Sequence, residues 1–257
     1  MNRPITLATV RGISVRITGG WCVLALTMTA VLALTLFQPA FPRHERWALW
    51  TVAAFCAVLV QLGVLAGALA RVALARRCGV SARDLVLHVL GGLTQLAGEP
   101  RRTRCRVLLH ASGSLVEGAL GGVLLAAWAA SGRAETPLSA ALLWSALVLE
   151  GLAAVGMLPV PPFEGAGLLH AVAMRLLGVG PTADRLVAAT ARMTSLALLA
   201  FSCSVIAYTL TRSPDLSFAA FIHPLAAPWL MLAGLHGART AGRPASIEHA
   251  HRSRLAA

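Results

Sequence analysis

The chain has 257 residues, of which 57% are hydrophobic and 12% charged, and it carries a formal net charge of +12. An ordinary soluble domain is excluded, because the apolar residues come in runs long enough to cross a bilayer. The basic residues other than histidine are all arginine and no nucleic-acid motif accompanies them, so membrane topology and anionic headgroups account for the charge.

An N-terminal stretch with Arg3, Arg11 and Arg16 precedes the first apolar run, Trp21 to Phe37. That run is followed by "QPAFP" and no small-residue cleavage site, so it reads as a retained membrane helix. The second run, Trp47 to Ala70, passes into "LARRCGV", whose arginines suit a headgroup region. "LVLHVLGGLTQL", Leu85 to Leu96, divides at Gly91-Gly92 into two short apolar pieces. A two-residue Gly-Gly loop suits a hairpin; an amphipathic piece on the membrane surface is the other reading. The third run, Val107 to Ala130, places His110, Ser114 and Glu117 at i, i+4 and i+7, on one helix face. The fourth, Leu138 to Leu158, carries Glu150. A carboxylate at bilayer depth costs about 2.5 kcal/mol or more, so both acids are expected to face a bundle interior or a cavity.

Glu164 lies in "PVPPFEGAG", which cannot be regular helix and is tolerated at membrane depth only when buried in protein or lining a cavity. His170 follows on a short helix. The fifth run is Met193 to Leu210; a sixth, Phe218 to Leu235, is interrupted by Pro224 and Pro228 and is either kinked or partly inserted. The predicted fold is an all-α polytopic membrane protein of about six transmembrane helices, with a small membrane-associated hairpin and a Pro/Gly re-entrant stretch. Residues 1–238 form one membrane domain and 239–257 a short tail. Six spans put eighteen arginines on one side and four on the other, which predicts both termini in the cytoplasm. The five cysteines lack C-x-x-C spacing and are expected to be reduced. His110, Ser114, Glu117, Glu150, Glu164 and His170 either line one polar pocket or each bond a neighbouring helix.

Four pieces, taken in order, resemble the site-2 protease family of intramembrane zinc metalloproteases. "RGISVRITGGW" is similar to the leader before that family's first helix, and "LARRCGV" to the end of its zinc helix. "LVLHVLGGLTQLAGEPRRTRCRVLLHASGSLVE" resembles its hairpin, basic linker and third helix, and "GMLPVPPFEGAGLLHA" its N-x-x-P-x-x-P-x-D-G motif. The resemblance implies that the H-E-x-x-H pentad falls on Gly67, Ala68, Leu69, Ala70 and Arg71, and the third ligand on Glu164. It further sets the motif Asn at Gly156, and a second Asn, of the family's A-G-P-x-x-N stretch, at Glu117. Zinc is the family's cofactor, yet Gly67 and Ala68 offer no ligand and Arg71 puts a fixed cation where a dication would sit, so no cofactor is expected. In the family the hairpin edge pairs with unfolded substrate segments.

The leading expectation is a pseudoprotease that lies in the lipid bilayer and engages a membrane-protein segment or an apolar small molecule, without nucleic acid. The alternative is a membrane enzyme with a rebuilt site around Glu164, Glu117, Glu150 and His170. A transporter using the acids as a relay is less well supported, for lack of matched interrupted helices. The vacated position is expected to be refilled by an ion pair of Arg71 with Glu164, against the reading that Arg71 turns outward to the headgroups.

Overall fold

Apolar runs set the helices, and the computed structural model describes residues 5–10, 13–80, 82–88, 91–96, 100, 102–132, 135–160, 163–178 and 181–211. Helix α1 (Gly19–Val31) continues through a π-helical segment (Leu32–Phe37) into the short α2 (Gln38–Ala40), together one apolar stretch of 22 residues. Thr35 Oγ1 donates to the Val31 carbonyl at 2.7 Å, giving a partner to a backbone group where the widened turn begins. Helices α3 (Arg46–Arg77), α4 (Thr103–Ala130) and α5 (Pro137–Gly156) follow. Among the described residues, four helices are long and apolar enough to cross a membrane: α1 with its extension, α3, α4 and α5. Two further helices are α6 (Glu164–Leu177) and α7 (Pro181–Thr211). The fifth expected run lies within α7, whose first turns carry Asp184, Arg185 and Arg192 and begin well before the apolar segment. The sixth expected run and the tail lie outside the described residues.

The expected hairpin is half of a larger element. Strands β1 (Ile5–Val10), β2 (Ile13–Ile17), β3 (Ala82–His88) and β4 (Gly91–Leu96) form one sheet in the order β1-β2-β3-β4. β1–β2 and β3–β4 are antiparallel, and β2 pairs with β3 in parallel, Val15 opposite Leu85 and Ile17 opposite Leu87. The leader is therefore strand, and Gly91 and Gly92 open β4 opposite His88 and Leu87, where a turn was expected.

By their contacts, the residues group into two compact units, one running to Gly156 and the other from Met157. In the first, Trp21 packs with Ala68 and Val72, flanked by Ile17, Val64, Leu65 and Leu69, so α1 and the end of β2 are seated on α3. Gln61 Nε2 donates to the Trp21 carbonyl at 3.4 Å. α4 packs most extensively on α5 and then on α3. α3 ends in a Schellman motif: Val80 N–H donates to Ala75 O at 2.9 Å and Gly79 N–H to Arg76 O at 3.0 Å, with Gly79 at φ 75°. Val80 then packs with Ala75 and Leu109, clamping the end of α3 to the start of α4. Beside this clamp, Cys78 and Cys105 are joined as a disulfide, with Cα atoms 5.8 Å apart, so the expectation of reduced cysteines does not hold for this pair. Cys22 and Cys56 are free. In the second unit α6 packs on α7.

Candidate functional site

The middle of α3 meets α4 at a point where neither backbone has room for a side chain between them. Gly67 is buried, and a Cβ there would stand 3.1 Å from the Gly113 carbonyl oxygen and 3.2 Å from Oε1 of Glu117. Glu117 thus reaches from α4 across to α3 and lies directly on Gly67. One turn further along α3, the Arg71 guanidinium interacts electrostatically with the same carboxylate. Both side chains are partly buried, and Ala68 beside them is buried in the Trp21 cluster. The first position of the Gly67–Arg71 pentad is therefore covered by a carboxylate, and the last carries a charge of opposite sign.

The expected common face of His110, Ser114 and Glu117 is divided between two neighbours. Glu117 faces Gly67 of α3, whereas buried Ser114 presses its Oγ against the place a side chain at Gly156 of α5 would need. The absence of a Cβ at Gly156 is what lets α4 and α5 approach there. His110, one turn before Ser114, is partly buried and engaged.

Glu150 belongs to α5 and lies over a groove of glycines on α4. A Cβ at Gly121 would be 2.9 Å from its Oε1, one at Gly118 3.7 Å from its Oε2, and one at Gly122 3.8 Å from its Oε1. The two intramembrane acids are thus applied to different partners: Glu117 to α3, Glu150 to α4. Nearby, Leu59, Leu62, Gly63, Ala66, Leu120, Val123, Leu124 and Leu149 line an open apolar groove of about 280 Å³. Gly63 is needed there because the Leu149 side chain fills the space of its missing Cβ.

In the second unit the Pro/Gly stretch turns before α6: Val160 N–H donates to Leu158 O and Phe163 N–H to Val160 O, both at 2.8 Å. Gly165 in the first turn of α6 rests on the Met157 and Leu158 backbone so closely that no side chain fits. Glu164 is the first residue of α6, partly buried and engaged. His170 Nδ1 lies 3.8 Å from Asp184 Oδ1 on α7. Within the first unit, Arg71 interacts electrostatically with Glu117, an acid that the sequence assigned to a pocket. Gly113 against Gly67 was the signal for this contact, since two small residues on facing helices permit close approach. Among the described residues, no group of three His, Cys, Asp or Glu side chains could hold a metal ion.

No family model matches the sequence. Over 203 residues the chain is 28% identical to a protein named "Putative zinc metalloprotease Rip3", found in two strains of Mycobacterium tuberculosis. The match covers 78% of this chain and 51% of that protein, so the chain spans about half the length of the curated relatives it matches. Among solved structures, the Site-2 Protease from Methanocaldococcus jannaschii superposes with a TM-score of 0.56 at 16% identity, covering 92% of this chain and 95% of that one.

Proposed function

We propose that the chain, a membrane-embedded relative of the site-2 protease family, is a pseudoprotease whose zinc position is closed by its own Glu117–Arg71 pair. It retains the frame in order to bind membrane-protein segments or apolar ligands. The observation that carries this reading is the Glu117 carboxylate seated on Gly67 beside Arg71.

The residues present do not fit a zinc ion. A catalytic zinc takes about three protein ligands and one open position for water. Gly67 and Ala68 supply no donor atom, Arg71 supplies only N–H groups and a permanent cation, and the room at Gly67 is taken by Glu117 and the Gly113 carbonyl. Hydrolysis through a metal-activated water has no place to start at these positions.

The binding role rests on what remains after the chemistry is removed. The apolar groove between α3, α4 and α5 offers only hydrocarbon surface, which suits a lipid-facing apolar partner.

Zinc analysis of the purified, detergent-solubilised chain tests the reading, with metal well below one equivalent as the expected result. The variant Gly67→His/Ala68→Glu/Arg71→His should gain zinc affinity, because it supplies two imidazole ligands and removes the fixed cation. Stoichiometric, tightly held zinc together with chelator-sensitive peptide cleavage by the unmodified chain would return the protein to the active proteases.

A further inference from the structure

The junction of α3 and α4 carries a second chemical site, separate from Gly67. Cys78 caps α3 and Cys105 stands in the first turn of α4. Their Cα separation of 5.8 Å lies in the middle of the range of about 4.4–6.8 Å that a disulfide spans. The backbone that presents them is fixed without the bond, by the Schellman motif at Gly79 and the packing of Ala75, Val80 and Leu109. The two sulfurs can therefore meet, part and meet again in one frame. Arg76 and Arg77 precede Cys78, Arg104 and Arg106 flank Cys105, and Arg106 Nη2 donates to the Pro100 carbonyl at 3.4 Å.

We propose that Cys78 and Cys105 form a reversible dithiol–disulfide site that takes low-molecular-weight disulfides as its oxidant. The arginine-rich side on which they lie is the one the charge bias assigns to the cytoplasm, where disulfides are characteristically transient or sensing. The two cysteines are not equivalent. Cys105 sits at the N-terminal end of a helix, where unpaired N–H groups favour a thiolate, and Cys78 at the C-terminal end of another, where carbonyls disfavour one.

The Cys105 thiolate attacks one sulfur of the small disulfide; that S–S bond breaks, one small thiolate leaves and a mixed disulfide forms on Cys105. Cys78, deprotonated, then attacks the Cys105 sulfur, expels the second small thiolate and closes the internal bond. Two electrons pass from the protein dithiol to the small disulfide, and the two protons end on the two small thiols. The closed bond joins the two ends of the segment that holds β3 and β4, so the redox change makes and breaks a covalent tie across a junction whose backbone is held in either state.

The test uses the full chain in native membranes, with oxidised glutathione as the probe and mass spectrometry as the readout. The variant Cys78→Ser should accumulate a glutathione adduct on Cys105 at least about tenfold faster than Cys105→Ser accumulates one on Cys78. If either variant fails to fold, the same order is read from the wild-type chain by trapping partly oxidised protein with acid and mapping which cysteine carries the adduct. A bond that resists thiol reductants in membranes, an absence of adducts, equal rates, or faster reaction at Cys78 would each overturn the proposal.

Discussion

A methyl group at residue 67 would stand 3.1 Å from a backbone carbonyl and 3.2 Å from a carboxylate oxygen, so one side of the clash is rigid and the other is a movable side chain. Gly67→Ala should therefore cost about 1–3 kcal/mol, as overpacking does, and Glu117→Ala in the same chain should recover part of it. The charge pair makes a separate prediction. Removing Arg71 or Glu117 alone takes from the other the electrostatic interaction between them, at a cost of about 1–3 kcal/mol after allowance for partial exposure, whereas Arg71→Met/Glu117→Gln together should cost less than the sum. Reversible unfolding of the four proteins in mixed micelles measures the cycle, and simple additivity would show that the two side chains ignore each other. None of this was legible at single residues: Glu117 read as a polar position in a span, and its partner is fixed by helix packing, not by spacing.

At the scale of the elements, the membrane helices were legible because a bilayer imposes a length and a composition that the chain cannot disguise. Trp47 to Ala70 became the core of α3, and Leu138 to Leu158 overlaps nearly all of α5. The sheet was only half legible. β3 and β4 carry apolar runs, but β1 and β2 lie in a short leader whose strand character depends on pairing with β3, a segment some seventy residues away in sequence. The disulfide was invisible for the same reason, since a separation of 27 residues carries no spacing signal. Glycine contacts between elements give a contrast that composition could not rank. A side chain at Gly165 collides with the Met157 backbone, and Gly165→Ala should cost about 3 kcal/mol or more or prevent folding. A side chain at Gly121 meets the Glu150 side chain from Cγ to Oε1 and no backbone, so Gly121→Ala should cost less, about 1–2 kcal/mol. Comparing the two thermal midpoints in detergent tests the ranking, and a reversal would mean that the turn before α6 yields more easily than the α4–α5 contact.

For the whole molecule, the eighteen-to-four division of arginines that six spans would produce yields a prediction of orientation. Reporter fusions after Arg102 and at the C-terminus should both report the cytoplasm; an external signal from either would invert the reading and place the cysteine pair in an oxidising compartment. The π-helical segment bears on how the first helix tolerates a change of length. Its i→i+5 bonds each enclose one residue more than those of an α-helix, so Leu32–Phe37 holds a residue that an ordinary turn would not. Losing one residue there should simply restore an ordinary turn. A one-residue deletion between Gln61 and Gly67 should instead rotate everything on one side of it by about 100° relative to the other, carrying Arg71 away from Glu117. Expression level and unfolding midpoint of the two deletion variants should therefore diverge sharply, with the first helix forgiving a missing letter that the third does not.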